Sequence, residues 1–336
     1  MSKGRITIKD IARELNVSAS TVSRALKNHQ DISKKTIDAV HELANRYNYT
    51  PNTLAINLKH SRSNNIGVSI PKISHLYFAS IIEGIEEYAE QKGYNVFVMQ
   101  ADENMEKEKK NIDVFIKGQV AGVLCSFSKT TQDFDHFQNL KENNIPLVFF
   151  DRVCHDIESS SVTSDDFKGA FSAVSHMIKT GCKNIAILHS PVHLNITENR
   201  INGYILAYKQ AGMEVDERLI VPCDTRGKAL KTVPKLLKRF PNIDGIFTVN
   251  DMIASGALTT VKKMGYKVPK DISICGFSSG IISEVTDPPL SSVNQNGFDI
   301  GMKAVELLIR EIESEGDIVY QNIVLPTQLD LKGSTK

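Results

Sequence analysis

The chain has 336 residues, 41% of them apolar, with 40 Lys and Arg against 39 Asp and Glu for a net charge of +1. That balance excludes a disordered or fibrous chain, and the length suits a small head plus two larger lobes. No run of about eighteen apolar residues occurs and no apolar segment follows the N-terminus, so neither a membrane span nor a secretory leader is expected, and a cytoplasmic location is.

Five cysteines, at 125, 154, 182, 223 and 275, are scattered without a C-x-x-C pair or a histidine at metal spacing. Reduced thiols in or near the cores are expected, with no metal site and no cofactor. Charge is uneven along the chain. The first sixty residues carry ten Lys and Arg against five Asp and Glu, a net +5, which leaves the remainder at −4. Affinity for nucleic acid is therefore expected in the N-terminal head and not in the rest.

Residues 7–26 read TIKDIARELNVSASTVSRAL. Thr7 with Asp10 three residues on forms a capping box. Ile8, Ile11, Ala12 and Leu15 then make one apolar stripe of a short helix. Asn16-Val17 breaks the pattern and Ser18 caps a second helix. Val22, Ala25 and Leu26 face inward, leaving Ala19, Ser20, Ser23, Arg24 and Lys27 outside. A helix pair with such a small, polar outer face fits the DNA major groove. The plainer reading, a helical hairpin with a solvated face, loses weight because the flanking segments fit as well. Ser33 caps a third helix, with Ile37, Val40, Leu43, Ala44 and Tyr47 as its buried face. Thr50-Pro51-Asn52 follows, with proline suited to the first position of a helix. The short helix it opens carries Leu54, Ala55 and Leu58 on one side.

From residue 66 the pattern becomes α/β. Strands are expected at 66–71, 94–100, 120–127 and 145–151, with helices at 78–92, 107–117 and near 133–143. The pattern then restarts, with strands at 184–190, 243–249 and 272–277 and helices at 166–180, 198–211 and 251–265. Apolar runs such as IPLVFFD are buried on both faces, as parallel sheets require. The expected architecture is an N-terminal all-α helix-turn-helix head followed by an α/β core of two parallel-sheet lobes, built like a periplasmic binding protein.

The motifs TIKDIA, VSASTVSR, the proline-opened segment at 51, VND at 249–251, VPKDISICGF and PPLSSV together resemble the LacI/GalR family of bacterial transcription regulators, over residues 7 to about 335. The resemblance implies a homodimer that binds a palindromic operator and answers to a small molecule held between the lobes. It implies crossovers near 161, 291 and 322. The division is then a head at 1–50, a hinge helix and linker at 51–63, an N-subdomain at 64–161 with 291–322, and a C-subdomain at 162–290 with 323–336. DNA contact is expected from Thr7, Ser18, Ala19, Ser20, Thr21, Ser23 and Arg24 in the head and from Asn52, Ala55 and Leu58 in the hinge. Leu58 matches the family position that wedges between central base pairs; a plain linker with a buried leucine is the alternative. Six residues follow Asp330, too few for a pairing heptad tail, so a dimer is expected and not a tetramer.

In open α/β sheets ligands bind beyond the carboxyl ends of the strands, and two facing lobes make a hinged cleft. The expected effector residues are Ser74, His75, Tyr77 and Phe78, then Asp151 and Arg152, then Arg200, Asn250 and Ser278. Each has a plainer reading: a turn cap for Asp151, a surface ion pair for Arg200, core packing for Tyr77 and Phe78. Between Asn250 and Asp251, the aspartate is expected to cap the helix while the asparagine faces the cleft. Arg200 matches the family's ligand-binding arginine.

Two departures from the family pattern bear on the ligand. Gly276-Phe277-Ser278-Ser279 stands where G-x-D-D is usual, and His75-Leu76 replaces Asn-Pro. An acceptor is lost while Arg152 and Arg200 remain, which favours a sugar or sugar derivative with an anionic group. The function expected is a repressor of carbohydrate-utilisation genes. The alternatives are a solute-binding protein of a transport system, which the basic head opposes, and a regulator controlled by a protein corepressor. An enzyme is not expected: there is no G-x-S-x-G elbow, Walker loop or G-x-G-x-x-G.

Overall fold

The computed structural model describes residues 6–47, 49 and 63–336, and the chain divides into two units, residues 1–63 and 64–336. The expected hinge contacts Asn52, Ala55 and Leu58 lie outside the described residues.

The head has three helices, α1 (Ile8–Glu14), α2 (Ala19–Leu26) and α3 (Lys34–Arg46). Each begins where the side-chain chemistry directs. The Asp10 carboxylate accepts from the Thr7 N–H at 2.9 Å and from its hydroxyl at 2.6 Å. Ser18 and Ser33 accept from the amides of Thr21 and Thr36. Asn16 takes a left-handed conformation, φ 53°, and so makes the turn between the first two helices. Ile11, Val22, Ala25 and Val40 are fully buried and form the centre of the small core. One inward assignment needs correction: Tyr47 is exposed, with its hydroxyl donating to Glu14 at 2.9 Å, whereas Leu26 packs against the core while partly buried.

The second unit contains two six-stranded sheets. The first has the order β11-β5-β4-β3-β1-β2, with β1 (Asn65–Ile70), β2 (Asn95–Gln100), β3 (Gly122–Cys125), β4 (Leu147–Phe150), β5 (Ser160–Ser164) and β11 (Asn322–Leu325). All its pairings are parallel. The second has the order β12-β10-β9-β8-β6-β7, with β6 (Ile185–His189), β7 (Ile220–Pro222), β8 (Gly245–Thr248), β9 (Ser273–Ser278), β10 (Ser291–Asn294) and β12 (Gln328–Asp330). Only β12 runs antiparallel, along β10. Helices cover both faces of each sheet. In the first lobe these are α4 (Leu76–Gln91), α5 (Met105–Lys117), α6 (Asp135–Glu142) and α12 (Gly297–Glu313). In the second they are α7 (Asp166–Lys179), α8 (Asn195–Gln210), α9 (Arg226–Arg239), α10 (Asp251–Lys263) and the short α11 (Ile281–Val285). Each face of each sheet has its own apolar cluster, and one of the first sheet's clusters also takes in Leu194 and Ile196 of the second lobe.

The chain passes between the lobes three times, each time a few residues later than expected. Ser160–Ser164 completes the first sheet before α7 begins. Ser291–Asn294 belongs to the second sheet, not to the first lobe, and Asn322–Leu325 stays wholly in the first. These strands read SSVTS, SSVN and NIVL. Two of them are polar and short, so no apolar run announces them. The helices at 226–239 and 297–313 were likewise not anticipated.

In the first lobe α4 and α12 pack backbone to backbone. A Cβ on Gly84 would collide with the Phe298 carbonyl oxygen, and one on Gly301 with that of Ile81. Either alanine must push the helices apart, whereas Gly227, exposed near the start of α9, has nothing near its missing Cβ. Gly301→Ala is expected to cost about 3 kcal/mol in urea denaturation, while Gly227→Ala should be neutral or stabilise by about 0.4–1 kcal/mol. Equal effects would show that the helix contact is looser than described.

Candidate functional site

Two surfaces carry unspent polar chemistry. On the head, α2 exposes Ser20, Arg24 and Lys27, with Thr21 and Ser23 half-buried. The Ser18 hydroxyl meets those of Ser20 at 2.7 Å and Thr21 at 2.8 Å, so three hydroxyls form one cluster at the helix N-terminus. Arg24 is held only by an exposed ion pair to Asp31 at 3.5 Å, an interaction worth little in water and readily exchanged for another acceptor. Ala19 is partly turned into the head core, which leaves it a smaller share of the outer face than expected.

The second surface is a cleft between the lobes with a cavity of about 40 Å³. His75 and Tyr77, following β1, line one wall; Asn250 and Asp251 after β8 and Ser278 and Gly280 after β9 line the other. These are carboxyl ends of parallel strands, where the loops diverge and leave backbone and side-chain groups unpaired.

Tyr77, which lines the cleft, also adjoins a buried charged cluster drawn from both lobes. Asp151 ends β4 in a left-handed conformation, φ 62°, which turns its side chain out of the sheet. Burial pushes its carboxyl up to about 6; Arg152 and Arg200 oppose the shift, while Asp166 and Glu103 reinforce it. It accepts from the Ser126 hydroxyl at a long 3.5 Å. Arg200, on α8, donates from Nε at 2.8 Å and Nη2 at 2.6 Å to Asp166 Oδ1, and from Nη1 to the Val249 carbonyl. Its guanidinium lies over the Phe277 ring, 3.8 Å from the centroid. Burial raises the Asp166 carboxyl too, against the pull of Arg200. The Tyr77 hydroxyl is buried near Asp151 and Asp166, and its proton is held well above the usual range, first by burial and then by those charges, with Arg200 acting in the other direction.

Several expected site residues stand elsewhere. Arg152 is not a free cation in the cleft: its Nη1 and Nη2 grip Glu103 at 2.8 and 3.0 Å, and Nη1 also donates to the Phe127 carbonyl. Phe78 belongs to the first lobe's core, edge-on to Phe150, because its position on α4 faces the sheet. Ser74 is exposed on the loop before that helix. At 250–251 Asn250 faces the cleft as expected, but it and not Asp251 caps the helix, accepting from the Ile253 amide at 2.9 Å. Asp251 turns under the strand ends, accepting from the Ser292 hydroxyl at 2.6 Å and the Gly280 amide at 3.3 Å. Ser278 has φ 116° and donates to Gln295 at 3.2 Å. Burial lowers the His75 imidazole, with Glu103 acting in the other direction.

Polar ties join the lobes around this cluster. Lys129 of the first lobe meets Asp224 of the second at 2.8 Å, and Lys228 meets the same carboxylate at 2.6 Å. The two lysines outweigh the burial of Asp224 and lower its carboxyl to about 2. Asn195 donates to the Asp151 carbonyl and accepts from the Val153 amide. Gln295 donates to Ser164 at 3.0 Å. None of Glu103, Lys129, Asp166, Asn195, Asp224 or Gln295 was singled out from sequence. One signal was present: Ser164-Asp165-Asp166 precedes a helix that needs one cap. Asp165 supplies it, accepting from the Lys168 amide, so the second carboxylate is left for another purpose.

Among the described residues no His, Cys, Asp and Glu group suits a metal ion, and no helix is long and apolar enough to cross a membrane. All five cysteines are free and buried.

Residues 7–52 match the model of bacterial regulatory proteins of the lacI family, and residues 63–329 that of periplasmic binding proteins and the sugar binding domain of the LacI family. The ribose operon repressor of Halalkalibacterium halodurans is 32% identical over 98% of this chain and 97% of its own length. The transcriptional repressor CytR of Escherichia coli K12 is 31% identical over 98% of this chain and 96% of its own. A solved LacI-type regulator from Alkaliphilus metalliredigens, complexed with D-xylulofuranose, is 30% identical with a TM-score of 0.73, covering 82% of this chain and 100% of that one.

The raised Asp151 carboxyl has a stability consequence of definite sign. A carboxyl that binds its proton more tightly folded than unfolded stabilises the fold below pH 4, and that contribution is lost as pH rises from about 4 through about 6. Two units correspond to about 3 kcal/mol at most. Asp151→Asn should therefore gain stability over the wild type at pH 8 but not at pH 4, read by urea denaturation at both. A difference between the two proteins that does not change with pH would contradict the placement of this carboxylate.

Proposed function

Since this chain belongs to the LacI family of bacterial regulatory proteins, we propose that it is a sequence-specific repressor of carbohydrate-utilisation genes, working in the cytoplasm as a homodimer on a palindromic operator. A small sugar-like effector in the inter-lobe cleft controls it. The observation that carries this reading is one chain joining a head with an exposed polar α2 to a two-lobed core whose cleft is lined by hydrogen-bonding groups at strand ends. The names of the similar repressors and the sugar in the similar structure support it.

Thr7, Ser18 and Thr21 have hydroxyls placed at helix starts, where phosphates bind. Ser20, Ser23 and Arg24, with Ala19 beside them, read base edges. Asn52, Ala55 and Leu58 enter the minor groove, with Leu58 wedging open the central step. A ligand touching Asp151 from one lobe and Arg200 from the other favours one angle between the lobes, and that differential affinity is what control of DNA binding requires.

A DNase footprint or anisotropy titration on the natural promoter, with and without a panel of sugars, tests the reading; operator affinity should change with one of them. No change with any small molecule, with operator binding intact, would remove the effector. Arg24→Ala should cost about 1–3 kcal/mol at the preferred half-site and relax selection at one base pair; unchanged selection would remove Arg24 from base reading. Leu58→Ala should keep salt-dependent non-specific binding and lose operator bending in a FRET assay. An equally bent, equally tight complex would dismiss the wedge.

A further inference from the structure

Both arginines between the lobes are already balanced. Arg152 is gripped by Glu103, which cancels its charge within the first lobe. Arg200 is balanced by Asp166, and the manner of pairing matters. Nε and Nη2 converge on one oxygen, Oδ1, so Asp166 Oδ2 is buried with no hydrogen-bond partner. The Tyr77 hydroxyl is buried beside Asp151, and Asp151 also has the long contact from Ser126. The groups around Asp151 are Arg152, Asp166, Arg200, Glu103 and Tyr77. Three carboxylates face two guanidiniums, so the cluster has net negative charge, and its unpaired groups are of both kinds, the Arg152 Nε–H donor as well as the Asp166 Oδ2 acceptor.

This accounts for the serine at 278. Ser278 donates to Gln295, Gln295 donates to Ser164, and Ser164 donates to Asp166 Oδ1 at 3.4 Å. The acceptor missing at 278 is replaced by a carboxylate at the other end of this chain. A buried carboxylate oxygen left unpaired is unfavourable, and a ligand hydroxyl directed at it relieves that. A phosphate or carboxylate on the ligand would add another negative charge where Arg200 has none to spare.

We infer that Asp166 determines the charge specificity of the cleft: by neutralising Arg200 and presenting Oδ2 unpaired, it admits uncharged polyhydroxylated ligands and excludes phosphorylated or acidic ones. The inference rests on the cleft being the effector site. It reverses the preference for an anionic ligand, which counted Arg152 and Arg200 as free.

Inorganic phosphate is the probe, followed by thermal shift and calorimetry on the full chain at pH 8 against chloride of equal ionic strength. The wild type should show no saturable binding. Asp166→Asn, which frees the guanidinium, should bind phosphate at least about tenfold more tightly, and Arg200→Gln in the same background should abolish the gain. A wild type that binds phosphate through Arg200, or an Asp166→Asn protein that gains none, would overturn the inference. Should Asp166→Asn fail to fold, the wild type compared with Arg200→Gln still decides: saturable phosphate binding lost in Arg200→Gln refutes it, and no binding to either supports it. Operator affinity with neutral sugars is measured separately, so an unresponsive repressor that still excludes phosphate would lose the effector reading and keep the charge selectivity.

Discussion

The second lobe holds a buried guanidinium, Arg200, whose charge has to be met within the protein. Arg200 cannot shed its charge, and removing a charge of that kind from water costs several kcal/mol unless partners surround it. Asp166, the Val249 carbonyl and the Phe277 ring are those partners. Asp166 is the first residue of α7, placed directly after the last residues of β5. Where the first sheet ends thus determines where the carboxylate sits in the second lobe. The three crossovers are where the two lobes share chain, and the ion pair stands beside one of them.

The joint between lobes differs from their interiors. Each sheet is covered by its own apolar clusters, and close-packed cores of that kind move as rigid bodies. Beside the apolar contact of Leu194 and Ile196 with the first lobe, the joint is held by polar contacts: Lys129 with Asp224, Asn195 with the backbone at 151–153, Gln295 with Ser164. Polar contacts exchange with water at small net cost, so the polar side of the joint is the side that opens most readily. Hinged two-lobe proteins change angle in this way when a ligand bridges the lobes.

The sequence was most legible where chemistry and spacing coincide. Thr7, Ser18 and Ser33 are the three caps of the head, and the period of Ile11, Val22, Ala25 and Val40 locates its core. Apolar runs such as LVFF at β4 betray buried parallel strands. Polar strands do not, which is why Ser160–Ser164 and Ser291–Asn294 were passed over and the crossovers misplaced. The cleft was legible as a set of strand ends but not as a set of pairings. Nothing local in the sequence shows that Arg152 meets Glu103 or Arg200 meets Asp166, since each pair is made by elements far apart in the chain. Counting unpaired arginines from sequence therefore overstated the positive charge of the cleft. Phe78 was misplaced for a related reason: one helical position separates the cleft face from the core face.

In the proposed function the cleft and the head share one equilibrium. Linkage demands that if a cleft ligand changes operator affinity by some factor, the operator changes ligand affinity by the same factor. The direct measurement is the dissociation constant of the responding sugar on the full chain, by calorimetry, with and without saturating operator duplex, set beside the operator constant with and without saturating sugar. The account predicts equal factors, typically about 5–150-fold. Sugar affinity that is unchanged by operator would contradict it.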